Sequence, residues 1–280
     1  MIHEDSPHRS ATPGWLAVRL PVHALWLSLA VLAWFAIAAF APRFGLLDWR
    51  AGLGFMVMTA GPLLLGLAVL VAALALALSL RSRPRGPWWK AALALAIPVI
   101  IGASLLQLRA TAARVPPIHD VATDVVDPPQ FSASTMALRD AAGANPLSPY
   151  NVPLGQLPAW QGRVEGAQAI QTHADLIGQH YGRLQPIPTG GRDPAQVYDA
   201  IVAAMADIGL RDIRRDPDAG IVEGVARTLA FGFRDDVVVR VRDGRIDLRS
   251  ASRVGVSDLG YNAARLERLS RAIERRLATP

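Results

Sequence analysis

Thirty consecutive residues, Ala51 to Leu80, carry no charge. A run of that length cannot form one wet and one dry face along its course, so it belongs in lipid or in a very large core. Two shorter uncharged runs, Ala24–Ala41 and Ala91–Leu108, flank it. A helix crosses a bilayer with roughly 20 apolar residues. The sequence therefore predicts a membrane anchor over residues 1–108, with transmembrane helices at about 24–41, 53–80 and 90–108. The second run is longer than a crossing needs and contains Gly61-Pro62, expected to kink it or to mark its entry into the bilayer. Gly52, Gly54, Gly61 and Gly66 are expected to permit close helix packing. No ionisable residue lies inside the runs, which favours an anchor over an ion or proton path.

Orientation follows from the short loops. Arg81, Arg83, Arg85 and Lys90 lie between the second and third runs, but only Arg43 and Arg50, with Asp48, lie between the first two. Lys and Arg accumulate on the cytoplasmic side. This predicts a bacterial inner-membrane protein with a cytoplasmic N-terminus and everything beyond Arg109 in the periplasm. Ala39-Phe40-Ala41 imitates a signal-peptidase site, but Pro42 would follow the cut and disfavours processing.

Charge separates the two halves. Residues 1–108 hold 8 of the 29 Lys+Arg and 3 of the 23 Asp+Glu, a net of +5; the remaining 21 and 20 leave a net of +1. The basicity belongs to the anchor and is not a nucleic-acid footprint. The absence of cysteine excludes disulfides, thiolate catalysis and Cys-ligated zinc. Lys90 is the only lysine, so Schiff-base chemistry in the C-terminal part is excluded.

Residues 109–192 read as an extended Pro-rich segment plus one helix packing on the domain that follows. Pro116-Pro117 and Pro128-Pro129 exclude long helices, Trp160 is expected to reach a core, and a helix is predicted from about Gly166 to His180. His119, Asp120 and Asp124, or His173 and His180, could be read as metal ligands, but no HExxH-type spacing supports either set. They are better read as turn-capping aspartates and surface histidines, and no metal or cofactor is expected.

Residues 193–280 read as an α+β core of helix, four strands and helix. Asp193-Pro194-Ala195-Gln196 is a helix start and Gly209 a stop. Strands are predicted at Leu210–Arg215, Ile221–Thr228, Val237–Arg242 and Arg245–Ser250. Asp243-Gly244 is a two-residue hairpin turn. It pairs Val241 with Ile246 and Val239 with Leu248 on a buried face, and Arg240 with Asp247 on the other. That second face is expected to be solvated. The last helix, about Leu259 to Leu277, carries Leu266, Leu269, Ile273 and Leu277 on one stripe. The fold class is therefore α+β: three N-terminal transmembrane helices, then an antiparallel four-stranded sheet with flanking helices on one side.

Three pieces, IHDVATDVVDPPQF, FGFRDDVVVRV and IDLRSASRVGVSDLGYNAARL, resemble the DUF1499 family of bacterial and plastid proteins. The likeness covers most of Ile118 to Leu266 and leaves out the three spans. It implies extracytoplasmic placement and no particular activity or catalytic residue.

The densest polar stretch runs from Arg249 to Arg265. Ser257 and Asp258 precede the last helix, where side-chain oxygens cap free N–H groups. Gly255 and Gly260 allow backbone conformations closed to other residues. Arg249 and Arg253 are expected to leave the strand toward that helix start, near Asp235 and Asp236. The candidate site is Asp235, Asp236, Arg249, Ser250, Ser252, Arg253, Gly255, Ser257, Asp258, Asn262 and Arg265. It reads as a corner lock of buried arginines and aspartates, or as an anion site at the helix N-terminus. The functions considered are a membrane-anchored binding or interaction module of the cell envelope, a periplasmic hydrolase or transferase acting on an anionic envelope substrate, and a structural subunit of a membrane complex. The expected partners are the lipid bilayer and either another envelope protein or an anionic small molecule, with no nucleic acid.

Overall fold

The computed structural model describes residues 14–278. The expected cytoplasmic N-terminal tail over residues 1–13, and the last two residues of the expected core, lie outside the described residues. The chain divides into two compact units, residues 1–109 with 229–232, and residues 110–228 with 233–280.

In the first unit, three helical stretches are long and apolar enough to cross a membrane: Trp15–Phe44, Arg50–Arg81 and Trp88–Ala112. The protein is membrane-associated through these apolar helices. Helix α1 spans Trp15–Phe40, α2 Gly61–Arg81 and α3 Trp88–Ala112. The long second stretch is not simply kinked. It begins as a π-helix, Arg50–Ala60, and becomes α-helical at Gly61-Pro62. Pro62 has no N–H to give the preceding turn, which suits a change of helical pitch at that point. Small residues hold the helices together: Ala24, Ala72, Ala75, Ala91 and Ala94 form a buried cluster. The Ser28 hydroxyl donates to the Ala94 carbonyl at 2.7 Å. Of the four glycines expected at helix contacts, two are there. A Cβ on Gly52 would lie 2.5 Å from the Ala38 carbonyl oxygen, and one on Gly61 would lie 2.8 Å from the Phe35 ring. A Cβ on Gly54 or Gly66 would meet nothing within 4 Å, so these two face open space instead.

The second unit is an antiparallel sheet with helices. Its elements are β1 (Asp120–Ala122), α4 (Ala133–Ala141), α5 (Ala167–Ile170), α6 (His173–Tyr181), β2 (Ile187–Pro188), α7 (Pro194–Asp207), β3 (Arg211–Asp216), β4 (Ile221–Arg227), β5 (Arg234–Arg242), β6 (Arg245–Ser252) and α8 (Tyr261–Ala278). The strand order is β1-β6-β5-β4-β3, with β2 also on β6. The four predicted strands form its continuous part. The segment expected to be merely extended adds β1 and β2, which share the outer edge of β6.

The predicted hairpin register is the observed one, with Val239 opposite Leu248, Arg240 opposite Asp247 and Asp236 opposite Ala251. Asp243 and Gly244 both take positive φ, 54° and 73°, the turn whose twist matches the strands. Asp193 caps α7 by accepting from the Ala195 N–H at 2.8 Å. The single helix expected over 166–180 is two, α5 and α6. Thr172 breaks it by forming a capping box with Asp175.

One face of the sheet carries the apolar core. Val222, Val237, Val239, Ile246 and Leu248 pack with Ile201 and Met205 of α7 and with Leu266, Leu269 and Ile273 of α8. Trp160 joins the same core and is fully buried. The opposite face is not solvated as expected. Segment 120–147, including α4, lies across it, and Arg240, Asp247 and Arg249 beneath are buried.

Candidate functional site

Alternation along the strands splits the eleven candidate residues into two groups on opposite sides of the sheet. Arg249 and Arg253 do not turn toward the start of α8. They share the ionic face with Asp236, and each grips a carboxylate through two hydrogen bonds. Arg249 donates to Asp120 from Nε (3.0 Å) and Nη2 (2.7 Å), and its Nη1 donates to the Pro129 carbonyl. The Tyr150 hydroxyl donates to the same carboxylate at 2.7 Å. Arg253 donates to Asp236 from Nε (2.9 Å) and Nη2 (2.6 Å). Asp236 also receives Arg139 Nη1 at 2.7 Å, and that guanidinium continues to the Asn145 carbonyl. The Phe131 ring faces both Arg139 and Arg249, each guanidinium carbon 5.7 Å from its centroid. Asn145 ties the corner down by donating to the Gly255 carbonyl at 2.6 Å. Gly255 has φ +92°, a conformation that a side chain would strain.

This layer extends along the sheet. Arg240 bridges Asp247, Asp127 and Asp124. Glu223 accepts from the Ser132 and Thr135 hydroxyls and from Arg214.

Asp235, Ser250, Ser252, Asn262 and Arg265 meet on the helix-covered face. Asn262 donates to the His119 carbonyl and the Ser252 hydroxyl, both at 2.9 Å, and accepts from the Ser250 hydroxyl at 2.7 Å. Arg265 donates to the Ser250 hydroxyl, to the Asn262 side-chain carbonyl and, at 2.6 Å, to Asp235. Asp258 caps α8: its two carboxylate oxygens accept from the Gly260 N–H (2.8 Å) and the Asn262 N–H (2.7 Å). The carboxylate thus occupies the position an external anion would take. Ser257 donates to the Pro116 carbonyl at 3.4 Å.

Burial sets the protonation chemistry. It pushes the Asp120 carboxyl up, but the Arg249 guanidinium and the Tyr150 hydroxyl outweigh it and hold that carboxyl below its usual range. Burial pushes Asp258 up to about 6 against its two N–H bonds. It pushes His173 down to about 4, and His119 down as well. His173 is interior, not on the surface as expected, whereas His180 is exposed as expected; His119 is interior as well. His119 stacks on Trp160 with centroids 5.1 Å apart, and His173 stacks on Tyr150 at 5.4 Å. Neither ring nitrogen of His173 has a hydrogen-bond partner among the described residues. Asp124 turns its carboxylate to the Val126 and Asp127 N–H groups and to Arg245.

Sequence reasoning did not anticipate Arg139, Tyr150, Phe131 and Asn145 here. Nothing in the local sequence separates Arg139 from the other arginines. Asp120, expected to cap a turn, instead begins β1 and pairs with Arg249, in the stretch that carries the family likeness.

An α+β domain with an internal ionic layer, preceded by apolar helices able to cross a membrane, is the class these observations define. The chain belongs to the DUF1499 family, described as a protein of unknown function, whose profile matches residues 120–273. No curated protein and no solved structure matches it.

Proposed function

We propose that this chain is a membrane-anchored module of the bacterial cell envelope whose domain stands in the periplasm and works by binding through its surface. The observation that carries this reading is the closure of the polar cluster. Arg249, Arg253 and Arg265 are each engaged by a carboxylate from within the domain, and Asp258 fills the helix start. On this reading the cluster is a lock on the strand-to-helix corner, and recognition belongs to outer surfaces. The excess of Arg and Lys between the second and third spans supports periplasmic placement.

A hydrolase or transferase acting on an envelope anion gains little from this geometry, since Ser250 and Ser252 are engaged with Asn262 and Arg265. A structural subunit is the second reading. It is favoured by Gly66 of α2 and Gly102 of α3, which face open space where another helix could approach.

The cysteine-free chain allows a direct test. Single cysteines replacing Arg83 and Asp243 would be treated in intact spheroplasts with a membrane-impermeant maleimide. The reading requires labelling at 243 and none at 83 until the membrane is opened. The reverse pattern would overturn it.

A further inference from the structure

The helical unit carries positive charge with almost nothing to neutralise it. Asp48 is the only acidic side chain among its described residues, and it lies in the link between α1 and the π-helix. The opposite end of the bundle is where the start of α1, the end of α2 and the start of α3 meet, held by Ala24, Ala72, Ala75, Ala91 and Ala94. Arg19, Arg81, Arg83, Arg85 and Lys90 all stand at that end. The sheet domain treats its arginines differently, since Arg249, Arg253 and Arg265 each meet a carboxylate there.

The turn that joins α2 to α3 and bears three of these arginines is built, not slack. The Ser82 hydroxyl donates to the Ser79 carbonyl at 3.0 Å and accepts from the Gly86 N–H at 2.9 Å. The Ser79 hydroxyl donates to the Ala17 carbonyl at 3.2 Å. Gly86 is buried, and a Cβ there would collide with the Ala17 carbonyl oxygen, so the turn is seated against the first turns of α1. Arg81, Arg83 and Arg85 project from it exposed. Trp88 and Trp89 are exposed at the start of α3, and Lys90 Nζ lies 5.4 Å from the Trp89 ring centroid. Tryptophan in that place marks the boundary between headgroups and hydrocarbon. Leu80 and Leu93, also exposed, continue the apolar surface beyond it.

We propose that the α2–α3 turn is a binding site for the headgroup of an anionic glycerophospholipid, with Arg81, Arg83, Arg85 and Lys90 around its phosphate and its acyl chains along Leu80, Trp89 and Leu93. Guanidinium–phosphate hydrogen bonds are charge-assisted and fit two at a time. A turn already fixed by its own hydrogen bonds loses less freedom on binding than a slack loop would. Basic surfaces between membrane helices at headgroup level take anionic lipids for these reasons. With no carboxylate of the unit at this end, the phosphate supplies the missing counter-charge. The proposal needs the helices to sit in a bilayer but is indifferent to their orientation, so it stands or falls separately from the periplasmic reading.

The full chain, delipidated in a non-ionic detergent, would be offered equal amounts of phosphatidylglycerol and phosphatidylcholine with identical acyl chains, and the lipid it retains read by native mass spectrometry. The expected result is at least a tenfold excess of phosphatidylglycerol over phosphatidylcholine adducts. Arg83→Gln and Arg85→Gln, which keep the hydrogen bonds of the turn, should each lower phosphatidylglycerol retention about fivefold, the equivalent of one basic residue at an anionic surface. Lys90→Gln should act in the same direction, and Arg109→Gln at the other end of α3 should leave retention unchanged. Equal retention of the two lipids would overturn the proposal, and so would an Arg109→Gln loss as large as that of Arg83→Gln. Displacement of the lipid by millimolar inorganic phosphate would assign the turn to a soluble anion and likewise overturn it.

Discussion

Val237, Val239, Ile246 and Leu248 point to the helix-covered face of the sheet, whereas Asp236, Arg240, Asp247 and Arg249 point to the face under residues 120–147. Both sets are buried, and they alternate along the same two strands. The apolar face supplies burial, about 1.5–3 kcal/mol for each large side chain, and many apolar side chains could supply it. The ionic face supplies little net energy, because desolvation offsets most of the attraction, but it admits few arrangements. Slipping either strand by one residue would drive Arg249 and Asp236 into the apolar core. The difference teaches that one face provides the driving force and the other fixes the register.

Asp236→Ala should have the largest effect. It leaves Arg139 and Arg253 buried without their shared carboxylate, a loss of about 4 kcal/mol or more, read by pulse proteolysis of the detergent-solubilised chain in urea. Leu248→Ala on the apolar face should cost about 3 kcal/mol. If it costs more than Asp236→Ala, the contrast between the faces breaks down.

Acid should weaken the fold by a comparable amount. His173, held near 4 in the folded domain by burial, binds a proton more readily when unfolded. Stability therefore falls as pH drops from about 6.5 toward 4, by on the order of 3 kcal/mol. His119 acts in the same direction. Asp258 opposes them, since its raised value gives stability that is present at low pH and lost as pH rises through about 6. The difference between the wild type and His173→Phe across this range isolates the histidine, and a difference independent of pH would refute its role.

Arg253→Ala should cost about 2 kcal/mol, less than Asp236→Ala, because Asp236 keeps Arg139. No loss at all would remove the corner lock. Arg242→Ala should have the smallest effect, a urea midpoint barely moved from that of the wild type, since its pair with Asp127 is half exposed.

The sequence makes the hairpin legible because Asp243-Gly244 and period-two alternation agree on one register. The stripe of Leu266, Leu269 and Ile273 does the same for α8. The break at Thr172 was also available, as a Thr followed three residues later by an acidic side chain, but the apolar spacing on both sides hid it. The polar stretch from Arg249 to Arg265 was visible as a group, and its division between two faces was not. Reading successive strand residues as one cluster merges side chains that the pleat sends apart. The lid over the ionic face was least legible. Asp120 and Arg249 are separated by 129 residues, and no local pattern links positions so distant.

That separation has a consequence for the timing of synthesis. Strand β6 lies between β1 and β5, so β1 has no neighbour to pair with until almost the whole chain has been made. At roughly 5–20 residues per second, the Asp120 segment waits on the order of ten seconds with its carboxylate unmatched. During that interval it is open to premature pairing or to capture by a holding chaperone, and the sheet closes late, growing from the β3 edge toward β6 with β1 and β2 joining last.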